Sequence, residues 1–167
     1  MTESCELCQA PKATKTCGEC SRCVCKNCVE FLEQDKFRFH PEPPAFATKG
    51  VFCVDCFETL VRPEVEKYDE VEARSELVKF VRISFRGYIP TFRKAKFPVE
   101  VKDEAGRGQA LLKLKFLCAW EGYDTVIDME VEHSKTRNHG WESKVWAARG
   151  TFVDLDHAKF RPPEEST

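Results

Sequence analysis

Nine of the ten cysteines in this 167-residue chain fall within its first 56 positions: Cys5, Cys8, Cys17, Cys20, Cys23, Cys25, Cys28, Cys53 and Cys56. Eight of them form four Cys-x-x-Cys knuckles, 5/8, 17/20, 25/28 and 53/56. Two intervening residues let both thiolates reach one point at tetrahedral distances, the arrangement structural zinc takes. Disulfides are the competing chemistry, but two-residue spacing suits a metal better, and a chain whose start lacks the basic and apolar regions of a signal peptide is expected in a reducing cytoplasm. Redox catalysis by one knuckle would need a thioredoxin-like βαβ setting, which none of the four has. Eight thiolates make two four-ligand sites, so two zinc ions are expected.

Which knuckles share an ion is a question of spacing. Sequential pairing joins 5/8 with 17/20 and 25/28 with 53/56, through a tight first loop. Interleaving puts Cys5, Cys8, Cys25 and Cys28 on one ion and Cys17, Cys20, Cys53 and Cys56 on the other, tying both ends of the segment together. Residues 1–62 offer few core side chains between Phe31 and Val61, and so small a segment needs staples to fold. Interleaving is therefore favoured, with sequential pairing still open. Cys23 is read as a spare thiol, or as a substitute for Cys20 or Cys25. His40, in a Phe-Arg-Phe-His-Pro stretch, is read as a loop residue.

The run Cys17-Gly-Glu-Cys20-Ser-Arg-Cys-Val-Cys25-Lys-Asn-Cys28, followed by Val51-Phe52-Cys53-Val-Asp-Cys56-Phe57-Glu-Thr-Leu60, resembles a FYVE-type zinc finger over about the first 60 residues. The resemblance implies a two-zinc cross-brace whose closing knuckle runs into a short helix. The departures concern the lipid. Where such fingers carry a basic, histidine-containing strand around the third cysteine, this chain has Ala13-Thr14-Lys15-Thr16-Cys17-Gly18. The Trp-x-x-Asp before the first knuckle is missing, and Lys49-Gly50-Val51-Phe52 stands before the last. A phosphomonoester needs several convergent charged donors, so selective binding of phosphatidylinositol 3-phosphate is not expected. A RING finger is similar in topology, but its fourth and fifth ligands lie closer together than Cys20 and Cys25, and it usually includes a histidine.

Beyond the fourth knuckle, Phe57-Glu-Thr-Leu60-Val61 is amphipathic and is expected to stop at Arg62-Pro63. Residues 63–78 then form an acidic linker, with Val65, Tyr68 and Val71 at near-helical spacing, read as a solvated connecting helix. Residues 79–160 are expected to form an α+β domain of strands, a helix and a hairpin. Leu77 to Ser84 and Ile83 to Tyr88 read as strand. Asp103-Glu-Ala-Gly-Arg-Gly reads as a turn. Residues 110–121 suit a helix ended by Gly122, although Leu112, Leu114 and Phe116 alternate with lysines as a strand would. Thr125 to His133 and Trp141 to Leu155 read as two strands joined by a turn at Asn138-His139-Gly140. The phrase around Glu121-Gly122-Tyr123-Asp124-Thr125 resembles the helix-to-strand step of small YbjQ-like α+β domains. Residues 161–167 read as a frayed tail.

Charge and composition narrow the function classes. Lys plus Arg number 26 against 28 Asp plus Glu, for a net charge of −2, and hydrophobic residues make up 42%. The balance is that of an ordinary globular chain, with no apolar run approaching the ~20 residues of a membrane-spanning helix. One stretch departs from it. Lys79, Arg82, Arg86, Arg93, Lys94 and Lys96 occur without an acid and are interleaved with aromatics, a pattern that nucleic-acid platforms share with ordinary basic strand faces. His133, His139 and His157 with Asp124, Asp128 and Asp156 can be imagined as a catalytic cluster, but no nucleophile motif, Gly-rich phosphate loop or metal-protease helix accompanies them. Cys118 is read as a buried small hydrophobe. The expectation is a non-enzymatic, cytoplasmic zinc-binding adaptor with a protein or anionic partner. A nucleic-acid-binding protein using residues 79–97 and a RING-like ubiquitin-ligase module are the alternatives.

Overall fold

Two short antiparallel ribbons carry the knuckles of the N-terminal part. Strand β1 (Lys15–Thr16) pairs with β2 (Cys23–Val24), and β3 (Val29–Phe31) with β4 (Val51–Cys53). Each ribbon strand leads into or out of a cysteine pair, so strand register sets where the sulfurs meet. The structure, a computed structural model, describes residues 4–138 and 141–161 and separates into two units, Met1–Glu70 and Val71–Thr167.

The first unit is filled by a chain of edge-to-face aromatic rings, the geometry favoured by the ring quadrupole. Tyr68 meets Phe37 at 5.4 Å, Phe37 meets Phe46 at 5.9 Å, Phe46 meets Phe52 at 6.2 Å and Phe52 meets Phe57 at 6.3 Å. Beyond β4 the chain is helical throughout: α1 (Val54–Cys56), a π-helical turn Phe57–Val61, and α2 (Arg62–Glu76). The helix therefore does not stop at Arg62-Pro63. The Arg62 amide reaches back five residues to the Phe57 carbonyl. This widened turn resets the bonding frame just ahead of Pro63, where a missing N–H would otherwise break an α-helix. Nor is the acidic stretch wholly solvated. Tyr68 is only 2% exposed and its hydroxyl accepts the Phe39 N–H at 3.3 Å, while Asp69 pairs with Lys36.

The second unit is a five-stranded mixed sheet. It comprises β5 (Lys79–Arg82), β6 (Thr91–Lys94), β7 (Val99–Glu104), α3 (Arg107–Trp120), β8 (Thr125–Asn138) and β9 (Trp141–Leu155). β5 runs parallel to β8, β8 pairs antiparallel with β9, and β6 and β7 follow one another along the far side of β9. The 110–121 segment is helical, and the reason is its end. Gly122 takes φ +77°, with Gly122 N–H bonded to Ala119 and Tyr123 N–H to Cys118, the paired bonds of a Schellman stop. Ala110, Leu114, Phe116, Cys118 and Ala119 are buried along it.

Two expectations, one of strand and one of turn, are corrected. Residues 83–88 leave the sheet after Ile83, where Phe85 N–H turns back to the Arg82 carbonyl at 2.9 Å. Phe85, Ile89 and Phe160 pack on the buried trio Val81, Ile127 and Val153, and that burial outweighs continued alternation. Asp103 and Glu104 belong to β7 rather than to a turn, Asp103 taking a left-handed φ of 59° at a register shift. The turn at 138–140 and the tail lie largely outside the described residues.

A bulge in β8 places four residues, Ile127 to Glu130, against three on β9, Arg149 to Thr151, with Asp128 at φ 53°. Gly150 lies opposite, and a Cβ added there would come 2.3 Å from Val126 Cγ1 and 3.1 Å from the Ile127 carbonyl. Gly150→Ala should therefore destabilise the second unit by about 1–3 kcal/mol, read as a lowered melting temperature in tryptophan fluorescence. An unchanged melting temperature would contradict this close approach.

Candidate metal centre

The first and third knuckles converge, as do the second and fourth. Cys5, Cys8, Cys25 and Cys28 place their sulfurs within 4.8 Å of one another, and so do Cys17, Cys20, Cys53 and Cys56. The first two knuckles share one local construction. In each, the residue after the second cysteine (Gln9, Ser21) takes φ 61° and returns its N–H to the carbonyl of the first cysteine, at 2.9 and 3.0 Å. Backbone bonds then draw distant segments together. Glu6 N–H bonds the Cys23 carbonyl at 3.0 Å, and Gly18 N–H bonds the Val51 carbonyl at 2.8 Å. The first holds knuckle 5/8 to β2 beside Cys25, the second holds knuckle 17/20 to β4 beside Cys53.

The sulfur separations fit a metal. Cys8 and Cys25 Sγ lie 3.6 Å apart, and Cys20 and Cys53 Sγ 3.7 Å. A disulfide would need about 2.05 Å, whereas a tetrahedron with zinc–sulfur bonds of about 2.3 Å has edges of about 3.8 Å. Electrostatics points the same way. The Cys8 amide, the strongest influence on Cys5, helps hold that thiol down at about 6. Cys28 is pushed up to about 12, chiefly by its hydrogen bond with Cys8. In the other cluster, burial opposes ionisation of Cys20, but the amide and guanidinium of Arg22 outweigh it and hold the thiol at about 6. Burial, then contacts with Cys53, Cys20 and Cys17, push Cys56 up to about 12. Four sulfurs this close cannot all be anions without a cation among them. Each cluster can hold one metal ion, and both sets of donors fit zinc.

Arg22 is the residue that spacing alone does not single out for this role. Its Nε donates to Cys20 Sγ at 3.2 Å and its Nη1 to Asp55 Oδ2 at 3.0 Å, so it holds one sulfur from outside the cluster. Cys23 lies on β2 and belongs to neither cluster. His40 also stands outside both, its Nδ1 accepting the Glu42 N–H at 3.0 Å. Cys118 is fully buried, donates to the Thr125 carbonyl at 3.6 Å and is pushed up to about 12 by burial.

Of the imagined histidine–aspartate cluster, one pair, His157 with Asp124, comes together among the described residues. His133 lies against Trp146 on the β8–β9 arm, with ring centroids 5.0 Å apart. His157 Nε2 meets Asp124 Oδ2 at 3.1 Å, while Asp156 pairs with Lys159. His139 lies outside the described residues.

The basic stretch 79–97 is divided. Lys79 and Arg82 are on β5 with Arg86 in the following loop, whereas Arg93 and Lys94 are on β6 and Lys96 just beyond it. β8 and β9 separate the two groups. Arg93 is already engaged by Asp154 at 2.8 Å, the Gly122 carbonyl at 2.6 Å and the Tyr123 ring at 4.2 Å. A continuous platform is thus replaced by two separate edges. The β5 side opens onto a cleft of about 1060 Å³ lined by Lys79, Arg82, Arg86, His157 and aromatic side chains.

Comparison with protein-family models, with curated proteins and with solved structures finds no match to this chain. The class is defined by fold and site together: two tetracysteine clusters able to bind two metal ions, followed by a mixed α/β sheet unit. Among the described residues, no helix is long and apolar enough to cross a membrane.

Proposed function

We propose that the chain is a zinc-binding adaptor of the cytoplasm, in which a FYVE-like, two-zinc cross-brace is structural and the α+β unit receives the partner. The pair of interleaved tetracysteine clusters carries this reading. Four thiolates fill a tetrahedral ion's coordination shell, leaving no position for water or substrate, which favours a structural over a catalytic metal. Eight thiolates also need a reducing compartment to remain free for metal. A partner surface on the second unit is supported by its basic cleft. The test is titration of the reduced, metal-free chain with cobalt(II). Tetrahedral tetrathiolate absorption saturating at two ions per chain is expected, and saturation at one, or an octahedral spectrum, would remove the basis of the proposal.

The lipid function of FYVE fingers does not accompany the scaffold in this proposal. Of the cations near the expected headgroup position, Arg22 is committed to Cys20 and Asp55, leaving Lys15 and Lys26. Each surface lysine adds only ~1 kcal/mol of attraction to an anionic membrane. Sedimentation with liposomes containing phosphatidylinositol 3-phosphate should show no selective recruitment at physiological salt. Salt-resistant, isomer-selective recruitment would overturn that expectation.

A further inference from the structure

We infer that the β5 edge of the second unit is a docking site for an acidic, extended peptide, which adds as a strand beside Lys79–Arg82. The inference rests on the adaptor reading and names where its partner binds. Among the described residues β5 pairs only with β8, so its other side is a sheet edge. Lys79 and Ile83 donate their N–H groups to Asp124 and Met129 on the β8 side, both at 3.2 Å. Strand alternation therefore directs the amides of Phe80 and Arg82 outward, toward an incoming strand.

The cleft at this edge supplies the rest of the recognition. Lys79, Arg82 and Arg86 line it together with His157, and none of its lining residues is an acid. Those three cations form no ion pair among the described residues, although the chain as a whole carries net charge −2. Such an uncompensated basic patch is complementary to carboxylates. Its floor is apolar, with Phe85 and Phe160 packed 5.7 Å apart against Val81, Ile127 and Val153. That packing decides between polymers. Single-stranded nucleic acid needs aromatic faces free for base stacking, whereas these two rings are partly buried, tilted against each other and packed on the core. A peptide needs a backbone edge, cations and an apolar floor, and all three are present.

The test uses the full zinc-loaded chain and a fluorescent ten-residue peptide alternating glutamate and valine, with anisotropy as readout. Binding that weakens at least tenfold in Arg82→Glu/Arg86→Glu, and is lost when alternate peptide nitrogens are methylated, is expected. Lys79→Glu, on the same edge, should weaken it in the same direction. A lysine–valine peptide should not bind. Absence of binding by the acidic peptide, equal affinity in the charge-reversed variant, or tighter binding of a thymidine dodecamer than of the peptide would overturn the inference. Zinc content measured on the same samples reports separately on the metal centres, so loss of zinc and loss of the docking site are told apart.

Discussion

Stripping the metal should unfold the first unit and leave the second standing. Structural zinc in small fingers contributes apparent binding free energies of ~10–16 kcal/mol per site, and that binding energy is folding energy. The first unit has little to replace it. Its interior is the aromatic chain from Tyr68 to Phe57 with Val24, Leu32 and Val61, and burying a large apolar side chain contributes only ~1.5–3 kcal/mol. Its ribbon strands, Lys15–Thr16, Cys23–Val24, Val29–Phe31 and Val51–Cys53, are too short to persist unaided. The second unit contains no cysteine cluster among its described residues, and the paired 14- and 15-residue strands β8 and β9 run through its sheet. The chain's three tryptophans, Trp120, Trp141 and Trp146, all lie in that unit. Addition of a strong chelator under reducing conditions should therefore leave tryptophan fluorescence and its thermal transition in place. Proteolysis should at the same time become rapid within residues 4–70. Continued protease resistance of that segment without metal would show that the aromatic chain suffices.

Cys5→Ala and Cys25→Ala should each remove one zinc per chain, and the double variant should remove the same one. Both sulfurs belong to one cluster, so the second substitution acts on a site already lost, the signature of coupled rather than additive effects. Cys5→Ala with Cys17→Ala, from different clusters, should remove both ions. The effect is large because three thiolates leave a tetrahedral ion with an open position and much weaker retention. Zinc counted per chain after gel filtration separates the cases. Loss of two ions in Cys5→Ala/Cys25→Ala would mean that the knuckles pair along the sequence instead.

Local chemistry was legible in the residues. The four Cys-x-x-Cys pairs announce metal ligands because two thiolates two residues apart can already share one ion. The α3 stop at Gly122 and the β8 and β9 strands were also legible, since a left-handed glycine cap and period-two alternation are written within a few neighbouring residues. Interleaving of the knuckles was favoured by the need to staple a small segment, but it is the Glu6–Cys23 and Gly18–Val51 backbone bonds that bring the sulfurs together. Three features were decided only by tertiary structure. Pro63 reads locally as a stop, yet a π turn carries the helix through it to where Tyr68 can bury against Phe37. Phe85 alternates as a strand residue would, yet turns inward because Val81, Ile127 and Val153 offer it an apolar surface. The cations of residues 79–97 are continuous in sequence but divided in space, because β8 and β9, from the far end of the chain, insert between β5 and β6. Short-range order reflects dihedral preference and ligand reach over a few residues, while contacts between remote segments depend on which apolar faces find each other.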